Sequence, residues 1–365
     1  MNVEKDLKKD GITVIKPLDT LTVTLIAQFV AQKLACSFPF YGFNYNKLFM
    51  KICNIPMYIA DVPNSMGEAN YFYKNSSIYF RDGLSIEDMK KYAVHEFIHF
   101  YQELKDKNNV LYRLGLCDFT GFKIHGMALN EAAVQLIASK ALKTECEIVK
   151  YYDIEFPTNT PNCYPIICNL VNQMAYVIGE NVLFDSTFNS NLKFIKAFIN
   201  LCGERTFYKI ESNLDKILDI EGKIISLSSK IENDSLSEKL TAKASYKIGV
   251  YKNIIKYTFF ETQNLILTSY FDRKLDNVYS YQEIEDYRKK LYNYKDLLGT
   301  TDNYTFFNDY YINIMSSLDE KYEALDNAQL GIIPYKRNIF ETIIQKIRAL
   351  IKANVTDIKL ENSKE

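Results

Sequence analysis

The 365-residue chain contains no tryptophan, only three histidines and no Cys-x-x-Cys pair. Its seven cysteines are odd in number, and none matches the spacing of a cysteine zinc site. This pattern argues against a disulfide framework and favours free or buried thiols in a reducing compartment. The missing tryptophan accompanies an excess of Asn, Lys, Ile and Tyr, which fits an AT-rich genome more than any function.

The sequence also lacks a basic stripe, an acidic tail and a long uninterrupted apolar run. The net charge is −1, with both signs spread along the chain, so we expect no nucleic-acid partner. Met1–Asp6 is charged and leads into no apolar core, unlike a secretory signal. Leu21–Phe43 is interrupted by Gln28, Gln32 and Lys33, which argues against a membrane span. We therefore expect a soluble, cytoplasmic protein, and its oligomeric state is left open.

No proline- or glycine-rich linker divides the chain, although its length and 47% apolar content are enough for two domains. The fold class predicted is α+β, with a first domain over residues 1–205 and a mostly helical region over 206–365. Within the second region, isoleucine and leucine recur every three or four residues like a helical-hairpin seam, at Ile217, Ile220, Ile224, Leu227 and Ile231. A last helix is predicted over residues 338–353.

The most informative segment present is His95-Glu96-Phe97-Ile98-His99, which holds two of the three histidines. On a helix, residues four apart lie on one face, about 5–6 Å apart at Cβ. Two imidazoles at this spacing can bind one zinc ion, and the intervening Glu96 can act on a water beside the metal. The pattern therefore predicts a zinc site.

Short elements surround this segment. Before it, we predict a strand at 56–61 and a β-hairpin over 69–73 and 77–80. The helix that carries the motif is predicted to start at the capping pair Ser85 and Asp88 and to continue to Leu104. After it, we predict a loop with Gly115 and Gly121 and a second helix over 127–142. A hydrolytic zinc needs a third protein ligand, and the last of these helices offers Glu131, 32 residues after His99. Neighbouring alanines would let the two helices pack closely.

The order of hairpin, His-Glu-x-x-His helix, loop and Asn130-Glu131 helix resembles the gluzincin metallopeptidases, the thermolysin-like clan. The resemblance covers about residues 69–142. It implies a zincin-like catalytic domain with one Zn²⁺ per chain, held by His95, His99 and Glu131. It also makes Glu96 the general base and proton shuttle in the hydrolysis of a peptide or protein substrate.

The resemblance has one departure and suggests further site residues. Gln135 stands where these peptidases carry an aspartate that orients a zinc-bound histidine, and an amide accepts a hydrogen bond more weakly than a carboxylate. Zincin substrates add a strand to a sheet edge, which we expect along Ala69, Asn70 and Tyr71.

Three more residues are candidates by position only. His125, just before the Glu131 helix, can be a ligand, an oxyanion donor or a loop residue without a role, and the last interpretation is preferred. Tyr164 and Tyr176 are candidate oxyanion donors, although a tyrosine at either place is more often a core aromatic.

Two alternative functions fit the same residues. One is a regulatory metallopeptidase resembling the ImmA/IrrE group, which has a similar hairpin and motif order and cleaves a specific partner. The other is a non-catalytic zinc-bearing interaction protein that uses its helical region as a binding surface. The natural substrate is not predicted, because pocket residues lie on loops.

Overall fold

A computed structural model of the chain describes residues 3–9, 11–63, 66–120, 124–232, 237–302 and 304–330. It contains two compact units, one of Met1–Asp276 with Tyr292–Tyr304 and one of Asn277–Leu291 with Thr305–Glu365. The expected domain boundary near residue 205 falls inside the first unit. The predicted helix at 338–353 lies outside the described residues.

The fold class is α+β. The described helices are α1 (Val3–Lys9), α2 (Thr20–Ser37), α3 (Tyr45–Cys53), α4 (Ile86–Gln102), α5 (Met127–Leu142), α6 (Pro165–Ile178), α7 (Glu180–Phe188), α8 (Lys193–Cys202), α9 (Glu204–Glu232), α10 (Glu238–Leu275), α11 (Tyr281–Tyr294) and α12 (Phe306–Gln329). The described strands are β1 (Thr13–Pro17), β2 (Met57–Asp61), β3 (Ala69–Phe72), β4 (Ser77–Arg81), β5 (Glu103–Lys105), β6 (Leu111–Leu114), β7 (Cys117–Asp118), β8 (Glu147–Tyr151) and β9 (Ile154–Thr158). No helix among them combines the length and apolarity of a membrane crossing.

A four-stranded sheet in the order β1-β2-β4-β3 places β3 at one edge. The β2–β4 pair is parallel, whereas β3 pairs with β4 antiparallel as the predicted hairpin. Helix α4 follows this hairpin and packs against β3, and its other neighbours include α2 and α5. The predicted close packing of α5 against α4 is consistent with the structure, since the small side chains of Ala128, Ala132 and Ala133 on α5 are fully buried.

The region after α4 corrects part of the sequence prediction. The helix ends at Gln102 rather than Leu104, and the expected loop contains the small sheet β5-β6-β7. Strand β1 and the β8–β9 hairpin were not anticipated either. In β1 every side chain is exposed, so it has no buried face to produce the apolar alternation that reveals a strand.

The long helices α9 and α10 pack against each other inside the first unit. The predicted seam is confirmed over its first part, since Ile217, Ile220 and Ile224 are buried on α9. Helix α9 also packs against α5, and α10 packs against α6. Helices α9 and α10 therefore support the part of the chain that carries the motif.

Candidate metal centre

Helix α4 is started by residues next to it in sequence. The Ser85 hydroxyl accepts a hydrogen bond from the Asp88 N–H at 3.1 Å, as the predicted cap requires. Glu87 and Asp88 add negative charge to the first turn, where the helix dipole favours it. The histidines lie one turn apart on a buried stretch of this helix, and His95 and His99 are only 9% and 6% exposed.

Helix α5 brings the third predicted ligand to the two imidazoles. Glu131 Oε2 lies 3.3 Å from His95 Nε2, and Glu131 Oε1 lies 3.4 Å from His99 Nε2. The two Nε2 atoms are 3.0 Å apart. These three residues form a group capable of holding a metal ion.

The spacing of these donors fits a zinc ion. Zinc binds nitrogen and oxygen at about 2.0–2.2 Å, so three corners of its tetrahedron lie about 3.4 Å apart. The observed separations of 3.0, 3.3 and 3.4 Å have this size. The Glu131 side chain is 22% exposed and lines a cleft, which leaves a side open for a fourth ligand.

The start of α5 depends on a distant residue. Its N-cap is Gly126 in a left-handed conformation (φ 74°), which provides no capping side chain. Instead, the N–H of the fully buried Ala128 donates to Asp215 Oδ1 on α9, at 3.1 Å and 87 residues away. Asp215 therefore satisfies one of the free N–H groups in the first turn of α5.

The two carboxylates of the centre differ in their electrostatic environment. Burial alone would raise the pKa of Glu131, but the adjacent His99 and His95 outweigh it and hold this pKa well below its usual range. Burial raises the pKa of Glu96 to about 7, and the charge of Glu131 adds to the rise while His95 and the Tyr71 N–H oppose it. Glu131 is therefore anionic in this environment, whereas Glu96 can exchange a proton near neutral pH.

The position of Glu96 depends on the edge strand. Its Oε2 accepts a hydrogen bond from the Tyr71 N–H at 2.6 Å. Tyr71 belongs to β3, so the predicted edge strand and the predicted base are in direct contact. The other edge candidates, Ala69 and Asn70, line the same cleft.

Gln135 contacts His95 as its sequence position predicts. His95 Nδ1 lies 2.8 Å from Gln135 Oε1, which can accept the Nδ1–H of the tautomer whose Nε2 is free to bind a metal. The Gln135 amide in turn donates to Ser139 Oγ at 3.4 Å. By contrast, His99 Nδ1 is buried and has no hydrogen-bond partner among the described residues.

Of the three remaining candidates, the structure places only Tyr164 in the cleft. Tyr164 lines the cleft, and its ring centroid lies 6.4 Å from that of His95. The charge of Glu131 and then burial raise its pKa well above the usual value, so the phenol stays protonated and can donate. Tyr176 packs its ring against Tyr294 at 5.7 Å. His125 is an exposed residue whose backbone bridges to Asp118, outside the residues that line the cleft.

Two features of the centre had no counterpart in the sequence analysis. One is the cap from Asp215, which no local pattern reveals because the contact spans 87 residues. The other is an apolar wall of the cleft, formed in part by Phe119, Ile124 and Met127. The signal available for the wall was two apolar residues in the expected loop, Phe119 and Ile124, and a third at the first position of the predicted helix, Met127.

No family model matches the chain, and no curated protein or solved structure shows significant similarity to it. What the centre does therefore has to follow from its own residues.

Proposed function

We propose that the protein is a zinc-dependent metallopeptidase of gluzincin type, with one Zn²⁺ held by His95, His99 and Glu131. The observation that carries this proposal is the convergence of Glu131 on the two imidazoles, with Glu96 held beside them at the edge strand. A non-catalytic metal site has no need of a buried carboxylate that is not a ligand.

Zinc, when bound, supplies a Lewis acid that brings the pKa of water towards about 7 and polarises the scissile carbonyl. Glu96 accepts the proton of the attacking water, and its pKa of about 7 suits both this uptake and the later release. The same carboxyl then passes the proton to the leaving amine. The Tyr164 phenol faces the cleft and is the candidate donor to the oxyanion that develops on the carbonyl oxygen.

The edge strand accounts for substrate binding. Arg81 N–H donates to the Glu68 carbonyl, so the even-numbered residues of β3 pair with β4 and the backbone groups of Ala69 and Tyr71 face away from it. The Tyr71 N–H is taken by Glu96, while the carbonyls of Ala69 and Tyr71 are directed to the side where an extended peptide would add a strand.

The test combines zinc content with the hydrolysis of an unfolded casein-like substrate. We expect one zinc per chain, and hydrolysis that a chelator abolishes and added zinc restores. Glu96→Gln should retain zinc and lower kcat by about 10²–10⁴-fold, since it removes the proton acceptor. Glu87→Gln on the exposed side of the same helix is the matched control and should leave both values unchanged.

The outcomes separate the alternative functions. Zinc binding with no chelator-sensitive turnover, and no effect of Glu96→Gln, would support a non-catalytic zinc protein. Cleavage of one partner protein without digestion of unfolded chains would support a regulatory peptidase of ImmA/IrrE type.

A further inference from the structure

The cleft extends to both sides of the candidate metal centre. One side, here called the apolar arm, has a volume of about 350 Å³ and is lined by Tyr73, Leu114, Phe119, Ile124 and Met127. The other side, the mixed arm, has a volume of about 460 Å³, and its lining includes Tyr92, Gln135, Ser139, Asn159 and Asn162. Both arms share Gly67, Ala69, His95, Glu96 and Tyr164, so the centre lies where they meet.

The apolar arm contains large apolar side chains that are exposed to solvent rather than buried in the core. Ile124 and Met127 are 37% and 43% exposed, although both are large apolar residues. Apart from the centre itself (His95, His99, Glu96 and Glu131), the described residues that line this arm carry no charged side chain. A chain terminus placed there would lose its hydration without gaining a partner, whereas an apolar side chain would be stabilised.

The direction of β3 orients a substrate in the cleft. The chain through β3 runs from Glu68, which lines only the mixed arm, to Tyr71 and Tyr73, which line only the apolar arm. A peptide that pairs with it in the more stable antiparallel sense runs the opposite way. Residues on the N-terminal side of the scissile bond then lie in the apolar arm, and the leaving amine lies in the mixed arm.

We propose that the protein is an endopeptidase that selects a bulky apolar residue within two positions on the N-terminal side of the bond it cleaves. This inference rests on the proposed peptidase function. Phe119, Ile124 and Met127 are the specificity-determining residues. Space on both sides of the centre accommodates the interior of a chain, and the uncharged apolar arm gives a free α-amino group no counterion.

The first experiment uses internally quenched decapeptides that are acetylated and amidated at their ends. In each pair, one peptide carries Phe and the other Asp at the second or first position before a common scissile bond, and mass spectrometry assigns the cleavage site. We expect blocked peptides to be cleaved internally, with kcat/KM about 10–100-fold higher for Phe than for Asp. Release of single terminal residues, or a preference only on the C-terminal side, would overturn the inference.

The second experiment changes the wall of the apolar arm. Met127→Lys should lower kcat/KM for the Phe peptide by about 10-fold or more and raise it for the Asp peptide, because the lysine places a charge in the arm. Ile86→Ser, which removes an exposed apolar side chain from α4 outside the cleft, is the control and should change neither. Zinc-dependent hydrolysis with the wild-type preference intact in Met127→Lys contradicts the inference alone. The absence of any zinc-dependent hydrolysis contradicts the proposed function and the inference together.

Discussion

Helices α4 and α5 both carry proposed ligands of the candidate centre, yet they are stabilised by different parts of the chain. Helix α4 begins at Ser85, whose hydroxyl caps the N–H of Asp88 three residues later. Helix α5 begins at Gly126 without a local cap, and Asp215 on α9 accepts the Ala128 N–H instead. The helix with two histidines is therefore encoded locally, whereas the helix with Glu131 depends on the packing of the helical region.

This difference gives α9 a role in the candidate centre. Helix α9 packs against α5 and provides its cap, so any change that loosens α9 should move Glu131 relative to the two histidines. Changes confined to the cap of α4 should affect stability and leave the relative position of the ligands intact. The following variants test this contrast.

The largest expected effect is the loss of bound zinc in Glu131→Ala, because this change removes the one ligand that the proposed function places on α5. We expect affinity to fall by more than about 100-fold, since groups one layer further from a metal already account for about 10–100-fold. Competition with a chromogenic chelator measures the affinity. Glu147→Ala, at an exposed position on β8, is the control, and unchanged zinc stoichiometry in Glu131→Ala would remove Glu131 from the centre.

Raising the pH should loosen α9 through Glu221. Burial raises the pKa of this carboxyl to about 8, above its ordinary 4.5, and its neighbours Tyr151, Tyr152 and Cys168 provide no positive charge. The folded state thus holds the proton more tightly than the unfolded chain. The stabilisation contributed by the protonated Glu221 should be full below pH 4.5 and decline as the pH rises from there through about 8, by a total on the order of 3–5 kcal/mol.

Urea unfolding of the metal-free protein between pH 5 and pH 9 measures this loss. Glu221→Gln should flatten the pH dependence, because the amide does not ionise. Glu232→Gln, an exposed position on the same helix, should leave it unchanged. An equal pH dependence in all three proteins would exclude Glu221 as its source.

Variants of Gln135 measure how much its contact with the His95 ring contributes to zinc binding. Gln135→Leu removes the acceptor for His95 Nδ1 and should weaken zinc binding by about 10–100-fold. Gln135→Glu restores a carboxylate and should strengthen it. If both variants bind zinc like the wild type, the 2.8 Å contact does not orient the ligand.

The smallest expected effects come from variants that remove the N-terminal caps of α4 and α5, and they distinguish the roles of the two caps. Ser85→Ala should lower the free energy of unfolding by about 1 kcal/mol, and Asp215→Ala by about 1–3 kcal/mol, since the latter leaves a buried N–H without its acceptor. Only Asp215→Ala should also weaken zinc binding, while Asp215→Asn keeps an acceptor and should be milder. Equal zinc affinity in Ser85→Ala and Asp215→Ala would contradict the dependence of α5 on α9.

The elements nearest the motif were predictable because their signals are local. The capping pair, the His-Glu-x-x-His spacing and the hairpin of β3 and β4 each involve residues within a few positions of one another. The helix predicted at 127–142 has the bounds observed for α5, since its alanines and apolar residues recur with helical periodicity. The strands β5 to β7 escaped prediction because their runs of two to four residues are too short to show a period.

By itself, the sequence determined which side chains can bind a metal and that His95 and His99 share one helix face, because helical geometry places residues four apart together whatever surrounds them. Only the tertiary structure decided that Glu131 reaches both imidazoles, that the Tyr71 N–H holds Glu96, and that Tyr164 rather than Tyr176 lines the cleft. These contacts join segments 25 or more residues apart, so they depend on the packing of whole helices and on the sheet edge.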